Sequence, residues 1–190
     1  MKKLRKYHIG IIFLSLLFML GSCDEEEGSL EEFMTNEPGT ITAKIDGENF
    51  KSAGVFPITV DLHIDEDYNQ YDLQIEGERE LNGFEERIII SLFGTDFSSI
   101  KAGDVFVGGA DLNMGLKRFD GDFFRISRTE GDDTDIISDS EQGPASMATV
   151  TKIDFDNRLI SGTFSFKSID ISDNTVSFQI TDGVFTDIGY

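Results

Sequence analysis

Apolar and polar residues alternate along much of the chain after residue 39, with a period of two. In Thr40-Ile41-Thr42-Ala43-Lys44-Ile45 every second residue is apolar, the signature of a strand with one buried face. Asp46-Gly47 supplies a tight turn before Phe50, so a first hairpin is expected. Ile58, Val60, Leu62 and Ile64 alternate with Thr59, Asp61 and His63 in a second strand, and Pro57 stands at its start, where a missing amide donor costs least. Asp65 to Gln70 reads as a polar turn, after which Tyr71, Leu73 and Ile75 resume the alternation. Gly77 to Glu86 reads as a charged, glycine-containing connection. Arg87 to Phe93 is apolar on both faces at Ile88, Ile89 and Ile90, which predicts a central strand covered on two sides and ended by Gly94.

Further on, Phe97 and Ile100 suit a loop or a single helical turn. Asp104 to Val107 suits a short strand broken by Gly108-Gly109. Phe119 to Ser127 is a further strand, with Asp120-Gly121-Asp122 read as a turn, and Glu130 to Gln142 is an acidic loop closed by Gly143-Pro144. Ala148 to Asp154, a turn at Phe155 to Arg158, and Leu159 to Lys167 form a hairpin in which Ile160, Phe164 and Phe166 share a face. After a turn at Asn174, Val176, Phe178 and Ile180 return, and Gly183 separates them from a last segment, Val184 to Ile188. Roughly eight to ten short strands joined by turns, with no helix-period stretch of useful length, predict an all-β, antiparallel β-sandwich, the alternative being an open or closed β-barrel. No solenoid-type repeat is visible.

The chain before residue 39 follows a different pattern. Met1-Lys2-Lys3-Leu4-Arg5-Lys6 is basic, and Ile9 to Leu20 is an apolar run well short of the roughly 20 residues a spanning helix needs, so residues 1–22 are expected to be a cleaved export signal. Asp24 to Pro38 is acidic, with apolar residues scattered at Leu30, Phe33 and Met34. It reads as a tether, residues 23–38, ahead of a single β domain, residues 39–190.

Leu20-Gly21-Ser22-Cys23 resembles the lipobox of bacterial lipoproteins. That resemblance implies diacylglycerol on the Cys23 sulfur, cleavage before Cys23 and an acyl chain on the new amine, hence lasting membrane attachment. Asp24-Glu25-Glu26-Glu27 resembles the surface-export signal of Bacteroidota lipoproteins, which implies outer-membrane anchoring facing the cell exterior. The opening Gly39 to Gly47 and the closing Ala148 to Asp154 with Ile160-Ser161-Gly162-Thr163-Phe164 resemble the two ends of an uncharacterised Bacteroidota lipoprotein domain. This last resemblance implies compartment and fold class and supplies no activity. Gly162 is expected to admit a close neighbour within its strand.

Charge and composition narrow the function classes. The formal charge is −20, and losing Lys2, Lys3, Arg5 and Lys6 with the signal takes it to −24, because all 36 acidic residues follow Ser22. A field of that sign opposes nucleic acid and anionic headgroups, and favours cations or basic partners. The single cysteine is assigned to lipid, so no disulfide is expected and the domain depends on packing, much of it from 17 Phe with no Trp.

Candidate chemistry is sparse. Asp65, Asp67 and Asn69, with Asp72 and Glu76 further on, offer oxygen ligands at calcium-loop spacing, but Gln70 stands where such a loop needs glycine, and an acidic hairpin turn is the competing reading. Asp133 and Asp135, with Asp132, Asp139 and Glu141, form a second acidic cluster that calcium could order, the competing reading being a solvated loop. Calcium is the one cofactor these acidic clusters suggest. Tyr68 and Tyr71 are candidate ligand-binding aromatics, with hairpin packing as their other role. His63 is expected on the polar side of its strand. One histidine after cleavage, no free cysteine and no serine in a nucleophile motif argue against triad or zinc chemistry.

Three functions fit these features. The first is a lipid-anchored, non-enzymatic surface module binding or displaying glycan or protein. The second is a carboxylate-dependent glycan hydrolase, and the third a structural envelope-assembly lipoprotein. Oligomeric state is left open by the sequence.

Overall fold

The computed structural model describes residues 39–53, 58–128, 136–140, 145–171 and 177–190. These form strands β1 (Thr40–Ile45), β2 (Glu48–Lys51), β3 (Ile58–Asp65), β4 (Gln70–Leu81), β5 (Phe84–Thr95), β6 (Val105–Gly108), β7 (Arg118–Ser127), β8 (Ile136–Ser140), β9 (Met147–Asp154), β10 (Leu159–Asp170) and β11 (Ser177–Gly189). Two single 3-10 turns, Phe97–Ser99 and Leu112–Met114, flank β6. The expected all-β, mostly antiparallel architecture is the one observed.

All eleven strands belong to one sheet, in the order β2-β1-β11-β10-β9-β6-β7-β5-β4-β3, with β8 bridging β10 and β7. Every pairing is antiparallel except that of β6 with β7. The sheet rolls over so that its two halves face each other. Thus a Cβ built on Gly77 of β4 would stand 2.8 Å from Ile41 of β1, and one on Gly121 of β7 would stand 2.8 Å from Phe166 of β10. The layers pack as in a sandwich, while the continuous sheet gives barrel-like connectivity. At one seam the Ala53 amide donates to the Glu78 carbonyl at 2.8 Å, so the β2 end of the path reaches β4.

The alternation places the core as expected. Ile41, Ala43 and Ile45 of β1, Leu73 and Ile75 of β4, and Ile88, Ile90 and Leu92 of β5 are buried. Phe50, Phe106, Phe119, Phe123 and Phe185 are among the largest fully buried side chains. Aromatic rings also lie over glycines on paired strands: Tyr71 beside Gly94, Phe185 beside Gly162 and Phe164 beside Gly183. In each pair the missing side chain leaves the space that the ring fills.

Several expectations need correction. Gly77 to Glu86 is no connection: β4 continues to Leu81, and Asn82-Gly83 makes a two-residue turn into β5. Both turn residues have positive φ, 54° and 85°, the conformation that an Asn-Gly hairpin supplies. Gly94 lies within β5, because the Tyr71 ring covers it. Asp120-Gly121-Asp122 is mid-strand in β7, its glycine under Phe166 and its carboxylates on the other face. The acidic loop contains β8, and Gly183 does not end a strand but sits inside β11 at an irregularity opposite Phe164 and Phe166. Pro57 and Asn174 lie outside the described residues.

Candidate functional site

Directly opposite residues of an antiparallel pair share a face, so the register identifies what the outside of the β3-β4-β5-β7-β8 region presents. One rung runs His63, Asp72, Phe93, Arg118. The next runs Asp61, Gln74, Ser91, Asp120, and a third runs Thr59, Glu76, Ile89, Asp122, Asp139. Neighbouring strands lie roughly 4.8 Å apart, so Asp61, Asp72, Asp120, Asp122 and Asp139 share one continuous surface.

Interactions on that face are local. The Arg118 guanidinium stacks over the Phe93 ring at 4.2 Å and its Nε lies 3.1 Å from Asp120. Burial raises the Asp72 carboxyl above the ordinary range, nearby Asp61 and Asp120 add to this, and Arg118 and His63 oppose it. Asp122 is pushed up to about 7, first by burial and then by the charge and hydrogen bond of Asp139. Asp122 therefore keeps its proton near neutrality, because a partly buried carboxyl beside another carboxylate resists ionising.

Lower on the same face the acids are neutralised. Glu76 pairs with Arg87 at 3.3 Å, and Glu85, 3% exposed, pairs with Arg87 and Arg128. On the inner face Glu86, 2% exposed, accepts from Arg79 Nε at 2.7 Å and from Arg125 Nε at 2.8 Å. Arg79 also donates to the Asn49 carbonyl at 2.5 Å and lies over Phe50, so the triad ties β2, β4, β5 and β7 together at one end of the core.

The proposed calcium residues are not brought together. Asp65 Oδ1 accepts from the amides of Asp67 and Tyr68 at 3.1 and 3.2 Å, which makes it a turn cap. Asn69 closes the same turn with φ 48°, and its carbonyl accepts from Asp96. Asp72 points to the outer face and Glu76 is committed to Arg87, so Asp65, Asp67 and Asn69 act as a hairpin turn. Among the described residues no group of three or more His, Cys, Asp or Glu is arranged to hold a metal. Asp133 and Asp135 of the second cluster lie outside the described residues, as do Cys23 and Asp24, Glu25, Glu26 and Glu27.

Tyr71 is 3% exposed and edge-on to Phe97 at 5.2 Å. It is a core residue, which corrects its candidacy as a surface ligand-binding aromatic. Tyr68, 73% exposed, stands at the tip of the β3–β4 hairpin. His63 is exposed on the outer face. Sequence reasoning missed the Asp122–Asp139 pair and the Glu86 triad. The signal for the triad was Asn82-Gly83, which sets the β4–β5 register and brings Arg79 opposite Glu86.

Two surface depressions are shallow and open. One lies over β9, β10 and β11 and is lined by Met147, Thr149, Thr163, Thr181 and Val184, and the other surrounds the Asn82-Gly83 turn beside Arg128. No family model, curated protein or solved structure matches the chain.

Proposed function

We propose that the protein is a lipid-anchored surface module that works by binding, with the acidic face of β3, β4, β5, β7 and β8 as its contact surface for a basic protein partner. The observation that carries this reading is the gathering of Asp61, Asp72, Asp120, Asp122 and Asp139 on one sheet face with Arg118 and His63 as its basic neighbours in those rungs. Desolvating Asp122 and Asp72 raises their proton affinity, and a cationic side chain above them would restore the ionised form. Anchoring follows from Cys23 and outward display from Asp24, Glu25, Glu26 and Glu27, by the resemblances already given.

The test is binding of a lysine-rich polypeptide to the full chain. A variant with Asn at Asp61, Asp72, Asp120, Asp122 and Asp139 is expected to bind at least tenfold more weakly than one with Asn at Asp46, Asp111, Asp154, Asp156 and Asp182. Equal loss in both would reduce the effect to net charge and remove the face as a site. In cells, incorporation of an alkyne fatty acid is expected for the native chain and not for Cys23→Ser.

A glycan hydrolase is the second reading, favoured by the proton that Asp122 retains near neutrality. It requires turnover that Asp122→Asn abolishes.

A further inference from the structure

We infer that the outer edge of β3 is a docking site for an extended, basic segment of another protein, added as a further strand. The strand ends the sheet path and pairs with β4 alone among the described strands. Its eight residues, Ile58–Asp65, run opposite Gly77 to Gln70 in unbroken one-to-one register. Exposed edges are commonly blunted by bulges, proline or charged side chains, and the described β3 carries no bulge, lysine or proline; its only charged residues, Asp61 and Asp65, repel acidic strands and admit basic ones. Alternate N–H and C=O groups along it therefore face outward in the arrangement that accepts a new strand.

Side chains along the edge define the occupant. Ile58, Val60 and Leu62 are half-buried and Ile64 is 50% exposed on the inner side, so apolar residues of an incoming strand would extend the core there. On the outer side stand Thr59, Asp61, His63 and Asp65, backed by Asp72 on β4. Asp61 and Asp65 lie four residues apart, two places on the same face, so a matching strand reads basic, apolar, neutral, apolar, basic. The chain's own Asp24-Glu25-Glu26-Glu27 run has the wrong sign for this edge, and a second copy would bring up a surface of the same net negative charge. The choice of a basic occupant rests on the acidic-face reading, whereas the choice of the edge rests on the register of β3.

The probe is the peptide Lys-Val-Thr-Val-Lys-Val-Thr, added to the full chain and followed by amide exchange and by affinity. Binding should slow amide exchange at alternate residues of β3. Of two peptides N-methylated at odd or at even positions, one should lose binding at least tenfold and the other retain it, because one set of amides faces the edge. Asp61→Asn and Asp65→Asn should each weaken binding about threefold, and Asn at 65 keeps the capping oxygen of the turn. If both N-methylated peptides bind like the parent, strand addition is overturned while charge-driven face binding stands. If the peptide with Gln for Lys binds as tightly as the parent, the basic occupant is overturned and with it the acidic-face reading. Concentration-dependent dimers that protect β3 without peptide would assign the edge to a second copy and overturn the inference.

Discussion

Glu86 shows what a single residue does in this fold. Its carboxylate is almost wholly buried and holds two guanidinium groups, Arg79 and Arg125, at one end of the core. Glu86→Gln leaves both arginines facing a neutral amide that can accept at one oxygen only. Loss of one partner from a buried charge cluster costs about 3–5 kcal/mol, so the urea midpoint is expected to fall steeply. Lys44→Ala, which breaks an exposed pair with Asp182, is expected to leave the midpoint unchanged. An unchanged midpoint in Glu86→Gln would show that the triad contributes no stability. Only half of the triad is legible in the sequence: Asn82-Gly83 signals the β4–β5 register that sets Arg79 opposite Glu86, whereas Glu86 and Arg125 are 39 residues apart. Those two meet only when the β5–β7 register is known.

At the scale of strands and turns the sequence was far more informative, because period-two alternation is local. It located β1, β3, β7 and the β9–β10 hairpin closely, and it read Gly162 as a place of close approach. It misleads where a glycine reads as a break. Gly94, Gly121 and Gly183 lie inside strands under Tyr71, Phe166 and Phe164, and a ring on the paired strand or a layer away leaves no local mark. β8 was hidden by its acid-rich surroundings. Its Ser138 donates to the Phe123 carbonyl at 2.8 Å, next to the Ser168 hydroxyl at 3.0 Å, so tertiary bonding defines that strand more than its own pattern. Gly162 offers the direct test of the ring-over-glycine rule. A Cβ there would stand 2.3 Å from Phe185 and 2.5 Å from the Thr149 carbonyl, which is backbone and cannot rotate away. Gly162→Ala should cost about 1–3 kcal/mol in thermal or urea unfolding. Gly189→Ala, with nothing within 4 Å, is the matched control and should be nearly neutral.

For the whole molecule, charge governs how stability responds to the medium. A formal charge of −20 builds self-repulsion as carboxyls ionise, so stability should decline as pH rises from about 4 toward 7, and less so in high salt. Asp122 adds a site-specific part with the same sign. Its folded value of about 7 exceeds the ordinary 3.8, so the folded state holds the proton more tightly. That contribution is complete below the ordinary value and disappears as pH rises through about 7. Asp72, also raised, acts in the same direction. Asp104 acts in the opposite one: burial works against its ionisation, but hydrogen bonds from Lys117 and the Lys101 amide hold its carboxyl below the ordinary range. Its contribution is present above the ordinary value and is lost on acidification. Stability should therefore peak in mildly acidic solution. Urea midpoints at mildly acidic and neutral pH, in low and high salt, separate the terms. Salt should flatten the general decline while leaving the contribution of the partly buried Asp122 largely in place. Asp122→Asn should remove part of the decline that salt does not. If native chain and variant decline in parallel at every salt concentration, Asp122 does not hold a proton near neutrality, and the acidic face loses its most distinctive chemistry.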